Sequence, residues 1–146
     1  MHSFLRKAGY VLANMVVMVI LHGNSKQFWP KIPYLSLRNE GTPEHMRLLL
    51  HTTTIVTAGE ALIGQMPRER WLPRAIVLGL IPASLPLLLF FGQKVLRLQG
   101  QAAEVYNLAL VPILPIASTL LEDAITGSLA AIDHAPEDQA DYSHLV

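Results

Sequence analysis

The chain has 146 residues, of which 51% are hydrophobic and only 15% are charged. Soluble domains carry about 25% charged residues, so this composition points to a membrane protein. Eleven basic side chains balance eleven acidic ones, which leaves no basic field for nucleic acid, and the absence of cysteine excludes disulfides, thiolate metal sites and cysteine nucleophiles.

Four apolar stretches approach the roughly 20 helical residues that are needed to cross a hydrocarbon core. They lie at about 4–21, 46–66, 71–92 and 103–121. The second stretch contains His51, several threonines and Glu60, so it suits a bundle interior better than a lipid-facing position. The sequence therefore predicts an all-α membrane protein, a bundle of three to four transmembrane helices over residues 1–127. An acidic, solvent-exposed tail is predicted over residues 128–146.

The segment between the first two stretches, residues 22–45, is rich in Pro, Gly and Asn. It carries Phe28, Trp29 and Tyr34. Aromatic rings are stable at a membrane–water interface, where one edge of the ring stays hydrated. The pattern therefore predicts a loop at the membrane surface. Thr42 followed by Pro43 is typical of a helix start, with Thr42 as the cap.

The second stretch places polar side chains on one helical face. Thr53, Thr57, Glu60 and Gly64 follow one another at spacings of four, three and four residues. Glu60 is expected near mid-depth, where an acid must face protein or water. Its role is either functional, within the membrane, or structural, as a protonated acid that hydrogen-bonds a neighbouring helix.

Prolines recur inside the last two stretches. The positions are Pro82 and Pro86 in the third stretch and Pro112 and Pro115 in the fourth. A proline removes a backbone hydrogen bond, and in a membrane bundle neighbouring groups can satisfy the freed carbonyl. The sequence therefore predicts that the third and fourth helices bend at similar depth. The bend either shapes packing alone or opens a cavity for a lipid or quinone.

Two arginines begin the third stretch. Arg74 follows Arg70 by four residues, so both side chains project from one helical face near the membrane interface. Position near a helix end favours a side chain that snorkels to lipid phosphate; the alternative is an arginine that points into the bundle and pairs with an acid. The turn between the third and fourth stretches returns Glu122 and Asp123 to this end, which makes Asp123 a predicted partner of Arg70 or Arg74. Such a pair is either interfacial or able to polarise a quinone carbonyl and deliver a proton.

Histidine and motif patterns give little further chemistry. His51 alone lies plainly inside a stretch, which makes it the haem candidate, since a bundle haem takes axial imidazoles from facing helices. No zinc-protease, di-iron, nucleophile-elbow, P-loop or dinucleotide motif is found, so no metal site and no self-contained active site are predicted.

Two segments carry a family resemblance over about residues 70–127. WLPRAIVLGLIPA, residues 71–83, resembles the first membrane helix of the small cytochrome b anchor subunit of succinate dehydrogenase, respiratory complex II, where a Trp, a later Arg and a Leu-Pro ending recur. YNLA at 106–109 and EDAITG at 122–127 are similar to that family's second helix, which closes on an Asp-Tyr pair at the quinone site.

The resemblance implies an anchor in the mitochondrial inner membrane that holds flavoprotein and iron–sulfur subunits, with a second anchor, near a shared ubiquinone site. It implies four quinone-site residues: Trp71, Arg74, Tyr106 and Asp123. The family's haem b ligand has no counterpart, because residues 107–121 contain no His, and Ala124 replaces the Tyr of the pair.

Two other classes stay open. The chain is alternatively an accessory subunit of another inner-membrane respiratory complex or of ATP synthase. It is otherwise a small stand-alone transporter or channel, in which Glu60 and the proline-containing helices line a path. What covers Glu60 and the threonine face distinguishes the anchor from the transporter.

Overall fold

The protein is a helical bundle, as predicted. A computed structural model describes residues 2–22, 31–38 and 41–133, which contain no strand. The helices are α1 (His2–His22), α2 (Thr42–Leu62), α3 (Trp71–Phe90) and α4 (Gly100–Asp133). A short 3-10 turn, Arg68–Arg70, leads into α3, and a π-helical turn, Phe91–Val95, follows it.

The helices pack as a ring in which each contacts two others. Helix α1 packs against α2 and α4, and α3 packs against the same two helices. The end of α1 lies beside the start of α2, where the ring centroids of His22 and His45 are 5.6 Å apart, and short connections join α2 to α3 and α3 to α4, so successive helices run in opposite directions. At one end of the bundle therefore lie the start of α1, the end of α2, the start of α3 and the later turns of α4. At the other end lie the end of α1, the start of α2, the end of α3 and the first turns of α4.

Three helical stretches are long and apolar enough to cross a membrane. They are Phe4–His22, Arg68–Val95 and Gly100–Asp133. Helix α2, which carries the second predicted stretch at about 46–66, is not among them; it contacts α1 and α3, while part of its surface, for example Leu50, stays exposed. The chain is thus a multi-pass membrane protein with three candidate spans among the described residues. The remaining helix, α2, is more polar and packs against α1 and α3.

The bundle has an apolar middle and an apolar outside. Its main core lies mostly between α3 and α4, with one leucine from α2. The core residues are Leu49, Val77, Ile81, Leu85, Leu110 and Leu114. Large apolar side chains also lie on the outer surface, for example Leu80, Leu87 and Leu108, and Leu87 is 71% exposed. Lipid or other polypeptides are the surroundings that suit such surfaces.

Helices α3 and α4 continue through their internal prolines. Pro82 and Pro115 are buried, and neither Pro86 nor Pro112 ends its helix. Pro73 lies in the first turn of α3, where the missing N–H is an unpaired group in any case. The bend expected at the internal prolines stays a prediction.

The connection before α2 folds back onto that helix. Arg47 donates hydrogen bonds to the backbone carbonyls of Tyr34 and Ser36 and forms an ion pair with Glu44. The hydrogen bond from Arg47 lowers the pKa of the Glu44 carboxyl below its usual value. Tyr34 is 77% exposed, which agrees with a surface loop, whereas Phe28 and Trp29 lie outside the described residues.

Two helix boundaries differ from expectation. Thr42 is the first residue of α2 and Gly41 takes the capping position, because the Gly41 carbonyl accepts the first backbone hydrogen bonds of the helix. Helix α4 continues to Asp133, so residues 128–133 of the predicted tail are helical, with exposed side chains. Residues 134–146 lie outside the described part of the chain.

Candidate functional site

A group of charged side chains from all four helices meets at one end of the bundle; we call it the polar cluster. Its members are Lys7, Glu60, Arg70, Arg74, Glu122 and Asp123. Three cations face three acids, so the polar cluster is neutral as a whole. Ion pairs at this depth are expected only where each charge has a partner, and each member has one.

Arg74 is the centre of the polar cluster. Its side chain is buried and its Nε donates to Glu122 Oε2 at 2.6 Å. Its Nη1 donates to Glu60 Oε2 at 2.8 Å and to Thr57 Oγ1 at 3.0 Å. The snorkelling position favoured by the sequence is therefore wrong. The guanidinium has acidic partners on α2 and α4, and these make the bundle interior the better environment for it.

Further ion pairs surround the contacts of Arg74. Arg70 bridges two neighbouring acids of α4, with Nη1 at 3.0 Å from Glu122 Oε1 and Nη2 at 3.0 Å from Asp123 Oδ1. Lys7 of α1 pairs with the other oxygen of Asp123. The predicted pairing of Asp123 with Arg70 is confirmed, whereas Arg74 pairs with Glu122 rather than with Asp123. Asp123 remains about one-third exposed.

Helix α1 completes the enclosure of Arg74 with an aromatic ring. The Arg74 guanidinium carbon lies 4.3 Å from the centroid of the Tyr10 ring, within cation–π range. The Tyr10 hydroxyl lies 3.4 Å from Ser118 Oγ on α4, and Asn14 Nδ2 donates to the Tyr10 carbonyl at 2.8 Å. Arg74 is thus held from three sides, by an acid, by a ring and by the end of α2.

The polar face of α2 divides into two parts. Glu60 and Thr57 face Arg74, so Glu60 is directed toward protein as expected, in an ion pair. Thr53 instead donates to the carbonyls of Leu49 and Leu50 in its own helix. Because α2 ends at Leu62, Glu60 lies in the last turn and not at mid-depth. Gly64 lies beyond that end.

The four residues assigned by resemblance do not form one site. Arg74 and Asp123 belong to the polar cluster, and Trp71 lies beside it, 52% exposed, at the start of α3. Tyr106 lies near the other end of the bundle. Its hydroxyl donates to the Leu88 carbonyl at 2.8 Å.

Metal and haem ligands are not assembled by the described residues. No group of three or more His, Asp or Glu side chains that could hold a metal ion occurs in 2–22, 31–38 or 41–133. His51 lines neither the cavity beside the polar cluster nor the larger cavity at the other end of the bundle, and a haem there would need a second axial ligand from a facing helix. His51 Nδ1 is buried and has no hydrogen-bond partner in the described part of the chain.

The space beside the polar cluster is small. A cavity of about 10 Å³ borders Arg74, Glu60 and Glu122, with Thr119 on α4. That is about the minimum volume for one water molecule. The described residues therefore do not by themselves form a quinone pocket at the polar cluster. What this arrangement does is hold the four helix segments together through paired charges.

Sequence reasoning undervalued three members of this arrangement. Glu122 is 1% exposed and contacts both arginines, although Asp123 was the predicted partner. Lys7 and Tyr10 on α1 also contact the acids or Arg74. The available signal was the spacing of Lys7, Tyr10 and Asn14, which places three polar groups on one face of an apolar helix.

Comparison of the chain with family models, curated proteins and solved structures found no match.

Proposed function

We propose that the chain is a membrane-anchor subunit of a respiratory-chain complex, and most specifically of succinate dehydrogenase in the mitochondrial inner membrane. The observation that supports this proposal is the polar cluster. Arg74, which the family resemblance singles out, and the acids at the end of the matched segment meet in a buried, neutral network. The network fastens the helices together through paired charges, which is the structural role expected of an anchor.

The surface at the same end of the bundle supports a partner there. Lys7 and Asp123 are each about 30% exposed, and Trp71, which follows Arg70 in the chain, is half exposed. Trp is enriched at the centres of protein interfaces and charged groups lie at their rims, so this surface suits a partner that buries the Trp71 ring and leaves the ion pair at the edge. In the proposed complex, flavoprotein and iron–sulfur subunits and a second anchor cover this surface.

Ubiquinone enters the proposal only as a shared ligand. Asp123 is the residue that supports this role: it is a carboxylate of the polar cluster, it is partly exposed, and it belongs to the family resemblance. Since the adjacent cavity holds about 10 Å³, the walls of a quinone site beside Asp123 would have to come from other subunits. In this role the Asp123 carboxylate, whose charge Arg70 and Lys7 stabilise, would accept a hydrogen bond from a quinol hydroxyl and so orient the ligand from one side.

The transporter alternative has less support. Arg74 of the same chain contacts Glu60 and Thr57, so these two side chains face an arginine and do not line an open path. The apolar core residues Val77, Ile81 and Leu114 lie between the polar cluster and the far end of the bundle. A conducting path would require this packed region to open.

Purification in mild detergent tests the proposal. We expect the tagged chain to bring down a flavoprotein, an iron–sulfur protein and succinate-oxidising activity, identified by mass spectrometry. In that preparation, Asp123→Asn should lower quinone reduction while sparing succinate oxidation by a soluble dye. Asp133→Asn, on the exposed end of the same helix, is the matched control and should change neither rate.

Three results would count against the proposal. Recovery of the chain alone or as a small homo-oligomer would remove the anchor function and favour the transporter. Recovery with a different set of respiratory subunits would keep an anchor but replace the specific complex. Equal quinone kinetics in the two variants would remove Asp123 from the quinone site.

A further inference from the structure

A second, larger cavity lies at the end of the bundle opposite the polar cluster. Its volume is about 350 Å³, and all four helices and the π-helical turn contribute to its walls. This volume falls at the lower end of the range of about 300–1,000 Å³ that is usual for ligand pockets. In the chain, the lining residues Leu85 and Leu89 of α3 lie on either side of Pro86, and Val111 and Leu114 of α4 lie on either side of Pro112. A cavity between these proline-containing helices was one of the two alternatives that the sequence left open.

The lining of this cavity changes from polar to apolar with depth. The polar lining residues are His22, Thr42, His45, Gln93 and Asn107. The apolar ones include Leu49, Leu85, Leu110 and Leu114, which belong to the main core. Because the polar residues lie at or near the helix ends and the leucines lie further in, the cavity has a polar mouth and an apolar floor.

The π-helical turn at the mouth is held in place by α4. Gly92 packs against the ring of Tyr106 so closely that a Cβ at this position would lie 2.5 Å from a ring carbon. Tyr106 also hydrogen-bonds the Leu88 carbonyl, just before the turn begins. Single π-helical turns are common at functional sites. Here the turn carries Gln93 into the cavity lining, so Tyr106 is a positioning residue for the mouth.

We propose that this cavity binds a neutral, single-chain amphiphile, with a carbonyl- or hydroxyl-bearing head at the mouth and its hydrocarbon chain over the leucine floor. Amide and imidazole groups hydrogen-bond such a head, and no Lys, Arg, Asp or Glu of the described residues lines the cavity to select a charged one. The mouth lies at the ends of the candidate spans, at the depth of lipid head groups.

The volume limits how much of the ligand is enclosed. At roughly 30 Å³ for each water-sized group, the cavity holds about a dozen such groups. That is enough for a head and the first part of a chain, and the remainder would extend between helices into the bilayer. A lipid such as a monoacylglycerol and a prenylated quinone share this chemistry.

Binding of two radiolabelled probes to the full chain in phosphatidylcholine nanodiscs tests the proposal and separates the two sources. The probes are 1-lauroylglycerol and a decyl-substituted benzoquinone. We expect saturable binding of at least one probe at one site per chain. Val111→Trp, which places an indole in the cavity wall, should weaken that binding at least tenfold. Leu120→Trp, on the outer face of the same helix, should leave it unchanged.

A diazirine analogue of the tighter probe keeps the proposal testable if Val111→Trp does not fold. On the wild-type chain it should label peptides that contain Leu49, Leu110 or Leu114. Absence of saturable binding by both probes would overturn the proposal. So would equal affinities of the two tryptophan variants, or labelling confined to peptides outside the cavity.

Discussion

Replacement of Arg74 by methionine should destabilise the bundle more than any other single charge removal in the polar cluster. Methionine keeps the length of the side chain and removes every donor. The substitution abolishes the contacts to Glu122, Glu60 and Thr57 and the stacking on Tyr10. It leaves the polar cluster with two cations against three acids.

The size of the effect follows from what remains after the substitution. Glu122 is 1% exposed and keeps only Arg70, and the Glu60 carboxylate keeps no ion-pair partner among the described residues. Removal of one partner from a buried pair costs about 3–5 kcal/mol, because the other charge stays buried without compensation. We expect a loss of this order for Arg74→Met. Adding Glu60→Gln should restore part of it, since a neutral amide is less costly to leave unpaired.

Unfolding of the chain in mixed detergent–dodecyl sulfate micelles, followed by tryptophan emission and circular dichroism, measures this loss. Arg68→Met is the matched control, because Arg68 is an exposed arginine at the same end of the bundle. The control should change the free energy of unfolding by less than about 0.5 kcal/mol. If the two variants unfold alike, Arg74 is not the centre of the polar cluster and the described contacts do not stabilise the bundle.

Two further contacts give smaller predicted effects in the same assay. Thr57→Val removes a hydrogen bond from the charged Arg74 and should lower the free energy of unfolding by about 1.5–3 kcal/mol. Thr53→Val removes only bonds within its own helix and should lower it by less than about 1 kcal/mol. Equal losses would contradict the division of the polar face of α2 into two parts. Tyr106→Phe removes the bond to the Leu88 carbonyl and should cost about 1 kcal/mol while leaving the apolar contacts in place, and an unchanged stability would show that the ring alone holds the π-helical turn.

The sequence predicted the architecture because the relevant signals are local. The lengths and hydropathies of the apolar stretches and the polar residues of α2 together indicate a bundle with one helix unsuited to lipid, and the structure agrees. The pairing of Asp123 with Arg70 could also be predicted, since a short connection between adjacent helices returns one end to the other.

The environment of Arg74 could not be predicted from its own segment. Whether an arginine near a helix end snorkels or turns inward depends on which acids lie opposite it on other helices. Both acids that pair with Arg74 lie on other helices: Glu60 is in the last turn of α2, and Glu122 is just beyond the predicted fourth span, in the part of α4 that continues to Asp133. The separation of Tyr106 from Asp123 was predictable in principle, because 17 residues of helix separate them. Tyr106 and Asp123 were nevertheless placed in one quinone site, because the family resemblance implies both as quinone-site residues.

The central claim is that lipid surrounds the outer faces of α1, α3 and α4, whose large apolar side chains remain exposed in the bundle. Sedimentation of the purified full chain with and without detergent, with circular dichroism of each fraction, tests it most directly. We expect a folded, helical species in detergent and aggregation of the chain once detergent is removed. A monodisperse, fully helical monomer in plain buffer would contradict it.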